Sequence, residues 1–128
     1  MNAWRMLPAA ALLFTSGCAL VTRMPPEPGA RTAEEEEIVE TVQVMNSSWS
    51  LFCLLPLASG DVDSPDCVSC LPFRDTVNLE NQIKMIEAEA ERCGASRATH
   101  VVTYEGDEDV FLVLLLRRKI HTSAVLVR

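Results

Sequence analysis

Cations are scarce in this chain. Eleven Lys and Arg stand against eighteen Asp and Glu, a formal net charge of −7. A nucleic-acid partner requires a basic face that neutralises phosphates, so this deficit argues against one. It argues equally against a polybasic grip on a membrane. Glycine is limited to five residues, and none falls in a phosphate-cradling cluster. Histidine is limited to His100 and His121, and no motif places a serine or cysteine beside either. A nucleophile with a positioned base is therefore not indicated. A long apolar run is also missing. A bilayer span needs ~20 apolar residues, and the only approach, over residues 6–21, is interrupted by Thr15, Ser16 and Gly17. What is present is 48% hydrophobic residues in a chain of 128, which marks a folding sequence and not a disordered one.

The N-terminus carries the most specific signal. Arg5 supplies a positive charge, residues 6–14 an apolar stretch, and Thr15-Ser16-Gly17 a set of small residues that ends at Cys18. That order is the order of a secretory signal. With a cysteine at the cut it resembles a bacterial lipobox. The resemblance implies cleavage before Cys18, acylation of Cys18 with palmitate-type chains, and a lipid anchor. Ala19 follows, where an Asp would retain an enterobacterial lipoprotein at the inner membrane, so the outer membrane is the expected location. The chain then divides into a signal peptide over 1–17, a lipidated cysteine with a Pro/Glu-rich tether over 18–37, and a globular domain over 38–128. Pro25, Pro26 and Pro28 stiffen the tether and Glu34 to Glu37 keep it solvated. Fully extended, its sixteen residues 22–37 reach ~50 Å at ~3.1 Å per residue.

The domain reads as α+β: a small antiparallel β-sheet with one helix packed across a face. Val42 and Val44 alternate with polar neighbours, the period of a half-buried strand. Asn46-Ser47-Ser48 reads as a turn or bulge, and residues 49–57 as an apolar extended segment. The helix is the clearest element. Leu79, Ile83, Ile86, Ala90 and Cys93 form one stripe, with Asp75, Thr76 or Asn78 as candidate N-caps and Gly94 as the stop. A β-rich last third follows. Glu105-Gly106-Asp107-Glu108-Asp109 reads as a hairpin tip and residues 110–116 as a central strand. Arg117 to Lys119 then break the run before a final strand over 120–127.

Ser48-Trp49, Leu57, Gly60-Asp61, the helix end Ala90-Glu91-Arg92-Cys93-Gly94-Ala95 and Thr99-His100-Val101-Val102 together resemble small envelope lipoproteins of the TRL-like type. The resemblance runs from Asn46 to Val127. It implies this fold and compartment and carries over no catalytic residue.

Once Cys18 is acylated, four cysteines remain: Cys53, Cys67, Cys70 and Cys93. In an oxidising compartment they are disulfide candidates. Four allow three pairings and the sequence does not choose among them. The pairing expected here joins Cys67 to Cys70, and Cys53, in the most apolar segment, to Cys93 on the helix stripe. Cys67-Val68-Ser69-Cys70 also permits a thiol-disulfide centre, but such centres open a helix. A zinc pair would need two more ligands from Cys53, Cys93, His100 or His121. The acidic run 105–109 lacks the twelve-residue spacing of a known calcium loop. The expected function is a lipid-anchored envelope protein with a partner-binding, structural or sensing role. It is expected to have no enzymatic activity, catalytic residue, metal or cofactor. The membrane, through the lipid, and an envelope protein are the expected partners. The alternative is a redox protein using Cys67 and Cys70.

Overall fold

The computed structural model describes residues 19–52, 54–66, 70–111 and 114–128. The α+β expectation holds. The strands are β1 (Ala19–Met24), β2 (Ile38–Leu51), β3 (Leu55–Gly60), β4 (Cys70–Pro72), β5 (Arg97–Phe111) and β6 (Leu115–Val127), with one helix, α1 (Leu79–Cys93), between β4 and β5. All belong to one antiparallel sheet, in which five follow the order β4-β3-β2-β6-β5 and β1 pairs with β2. Along its whole length β2 pairs with β6 on one side. Its other edge is shared: β1 takes residues 41–46 and β3 takes residues 48–51.

The core lies between α1 and one face of the sheet. Ala19 and Val21, Val42 and Val44, and Ala124 and Leu126 point toward the helix, where Met85 and Ile86 meet them. The period of two puts alternate residues of each strand on that face. Asn78 caps α1, its side chain accepting from the Asn81 N–H at 2.8 Å. Gly94 closes the helix at φ +70°, a left-handed conformation that costs glycine nothing.

Three expectations are corrected. The first is the tether, because residues 19–24 are β1. Ala19 and Val21 are buried while Leu20 and Thr22 are not, a strand alternation that the neighbouring prolines obscured. Residues 25–37 then make a compact excursion. Ala30 N–H donates to Glu27 O, Arg31 bridges Glu37, and Arg97 holds Glu34 and Glu36 at 2.6 Å each.

The second correction concerns the buried stripe of α1. Gln82, Met85, Ile86 and Glu89 face the sheet, while Leu79 and Ile83 are 52% and 43% exposed. On that side Arg23 of β1 offers Glu89 a bidentate partner, which the helix pattern alone does not reveal. The third is the last hairpin. Residues 105–109 lie within β5 and Arg117 to Lys119 within β6, paired with each other, so the turn falls inside the apolar run. β5 is an edge strand, and the central strands are β2 and β6. Asn46, Ser47 and Ser48 lie inside β2, and the register shift comes later, between Trp49 and Ser50.

Candidate functional site

The chain joins the fold at β1. Ala19 is 2% exposed and its carbonyl accepts from the Asp66 N–H at 3.0 Å. Asp66 reaches back to take the Val21 N–H on Oδ1 at 2.9 Å. Arg23 then crosses to the helix. Its Nε and Nη2 donate to the two oxygens of Glu89 at 2.8 and 2.7 Å, and Nη1 donates to Asp66 at 3.2 Å. Arg92 donates to Glu89 at 2.6 Å and pairs with Glu40 of β2. A bidentate Arg–carboxylate contact is among the stronger polar interactions. The Arg23 hydrogen bonds hold the Glu89 carboxyl below the usual carboxylate range, against the opposing effect of burial, with Arg92 adding to them. Glu89 in turn raises the Arg23 and Arg92 guanidinium pKa values. This network clamps β1 and the 61–66 loop to α1.

Next to it lies a buried polar layer. Asn46 Nδ2 donates to Thr76 O at 2.8 Å and to Thr76 Oγ1 at 3.0 Å, and Thr76 Oγ1 donates to Gly60 O at 2.8 Å. These bonds tie β2, the end of β3 and the approach to α1 together. Between α1 and β5 an open groove of about 430 Å³ runs over Ile83, Ile86, Ala90, Ala98 and Val101. Glu87, Glu91 and Arg97 stand on its rim.

The sequence-derived candidates are dispersed. Cys18, Cys53 and Cys67 lie outside the described residues. Cys70 opens β4 in register with Gly60. Residues 73–78 separate that strand from α1, whose N-terminus is capped by the Asn78 side chain, so β4 does not open the helix as a redox centre requires. Cys93 is half-buried and free, its Sγ 3.5 Å from Ala90 O. It follows Arg92, which closes on Glu40 near the start of β2. Phe52 and Leu54, the described neighbours of Cys53, form the turn at the far end of β2.

The two histidines are exposed on different strands. His100 sits at φ +51° in an irregular stretch of β5, and His121 on β6 opposite Met45 and Tyr104. In the acidic run, Glu105 is paired with Arg118 at 2.5 Å. Among the described residues, no three His, Cys, Asp or Glu side chains gather as metal ligands. No helix among them is long and apolar enough to cross a membrane.

Sequence reasoning missed the Arg23–Glu89–Arg92–Glu40 network. Its signal was an alternating stretch, residues 19–24, carrying one arginine on its apolar side. The chain matches no protein-family model, no curated protein and no solved structure.

Proposed function

We propose that this is a lipid-anchored envelope protein of a bacterial outer membrane, acylated on Cys18, that acts through surface contact and has no catalytic activity. One observation carries the reading. The signal-like segment, with its small residues ending at Cys18, gives way at the next residue to a buried strand position, so secretion signal and fold meet without a gap. The redox alternative draws no support from the position of Cys70 at the opening of an edge strand.

Metabolic labelling with a fatty acid and cell fractionation test the anchor. Wild-type chain should take up label and sediment with outer membrane. Cys18→Ser should lose the label and leave the membrane fraction. Labelling that survives in the Cys18→Ser chain overturns the reading. For the redox alternative, a disulfide reductase or isomerase turnover abolished by Cys67→Ser or Cys70→Ser would replace it.

A further inference from the structure

α1 covers only part of its face of the sheet. The core beneath it is built from β1, β2 and β6, with Met85 and Ile86 of the helix at its centre. β5 lies two strands from β2, about 10 Å at ~4.8 Å per strand. One helix packs beside another at about 8–10 Å. The space over β5 is therefore one helix wide, and among the described residues no second helix fills it.

The walls of that space are apolar. Ile83 of α1 and Val101 of β5, each about half exposed, line the groove of about 430 Å³ described above. Leu79, one turn earlier on α1 and equally open, lines a second cleft of about 490 Å³ that reaches Thr103 and Ile120. Leu79 and Ile83 have the spacing of a core-facing stripe, yet the single chain leaves them uncovered. The rim is acidic. Glu87 and Glu91, one turn apart on α1, form no ion pair among the described residues. The cations of the two clefts are already taken: Arg97 by Glu34 and Glu36, and Arg118 by Glu105 and Asp75.

An apolar floor with a carboxylate border suits an amphipathic helix that carries lysine or arginine beside its apolar stripe. The α1 of a second copy fits less well, because its own Glu87 and Glu91 would arrive at the same border. An added strand also fits less well. The ladder of β5 is broken between Thr99 and Val102, where His100 stands at φ +51°.

We propose that the groove between α1 and β5 receives a basic amphipathic helix of a partner protein. The inference rests on the surface-contact reading and deepens it, by placing the contact and naming the partner's chemistry. The incoming helix completes the layer that α1 begins, and its cations neutralise Glu87 and Glu91.

The test uses the full-length chain purified in a non-ionic detergent and a dye-labelled peptide of 15 residues, the length of α1. The peptide carries Leu at helical positions i, i+3, i+4 and i+7 and Lys between them. Fluorescence anisotropy reads binding, and micelles without protein give the background. The peptide should bind above that background. Ile83→Asp should weaken binding about tenfold or more. Glu87→Lys combined with Glu91→Lys should do the same, as should a peptide with Glu in place of every Lys. Tyr104→Asp, on the opposite face of the sheet, should leave binding unchanged. Circular dichroism checks that each variant keeps its fold. Binding no stronger than to micelles alone, binding that survives both groove variants, or binding that falls as far in Tyr104→Asp overturns the proposal. So does a chain that sediments as a dimer and becomes a monomer in Ile83→Asp, which assigns the groove to a second copy. Fatty-acid label on Cys18 then leaves the anchor standing. Groove binding without that label sinks the anchor alone, and groove binding beside a turnover that needs Cys67 or Cys70 sinks only the non-enzymatic part.

Discussion

The same strands present two faces with opposite character. Under α1, Val42, Val44 and Leu126 are 0% exposed, and the core they build is apolar. On the other side, Val102 and Tyr104 stand in the open, Gln43, Ser123 and Thr22 lie between apolar neighbours, and no second layer of described residues covers them. An antiparallel sheet can carry one solvated face, so the asymmetry needs no missing piece for stability. It teaches that the fold is held from one side and leaves the other available for contact.

That comparison can be broken from the covered side first. Leu126→Ala removes a fully buried side chain and should cost about 2–5 kcal/mol, read as a lowered urea midpoint at unchanged slope. Glu89→Ala should cost about 2 kcal/mol. A fully buried pair loses more when broken, but Arg23 is about a third exposed and so partly screened.

The same pair sets a pH dependence. Because the folded-state pKa of Glu89 is lowered, its contribution is complete above the ordinary glutamate value of ~4.3. It is lost as pH falls through the depressed value. Urea unfolding at a series of pH values should show stability falling below about pH 4.5, with a shallower fall in Glu89→Gln.

Asn78→Ala, which removes the α1 cap, should cost about 1 kcal/mol. Cys93→Ala should cost less than that, since an unbridged thiol lacks the ~2–4 kcal/mol of a long-loop disulfide. A loss in the disulfide range, restored to near zero under reductant, would show that Cys93 is bridged. Smallest of all, Val102→Ser on the uncovered face should stay within about 0.5 kcal/mol. A large effect there would mean that the open face is structurally covered.

How much of this was legible beforehand depends on the kind of signal each element carries. The helix was readable because caps are local: Asn78 and Gly94 act on backbone within a few residues. Its orientation was not, because Glu89 and Gln82 look like solvent residues until Arg23 is brought in from 66 residues away. β1 was hidden by its C-terminal neighbours. Three prolines and an acidic run suggested a spacer, although Ala19, Val21 and Arg23 already alternated toward the core. The last hairpin was misplaced because its closing pair, Phe111 and Leu115, is apolar while acidic residues lie within its strand, the reverse of the usual composition. The sheet's open face was not legible at all. Alternation says that a strand has two sides but not which side a distant helix will cover. For the candidate site, the Arg23–Glu89 clamp that seats β1 was not legible, because its two partners lie 66 residues apart.

The burial of Ala19 also fixes an order of events. A peptidase that cuts before Cys18 must hold extended, accessible chain on both sides of the bond. Ala19, with its carbonyl bonded to Asp66 and its side chain in the core, is not accessible once β1 has docked. On the anchor reading, processing comes first and the sixth strand is added afterwards. The uncut precursor then carries an unfilled edge along residues 41–46 of β2, with Val42 and Val44 less covered than in the mature chain. Maturation and completion of the core become one step, and a precursor held uncut should be the more readily proteolysed of the two forms.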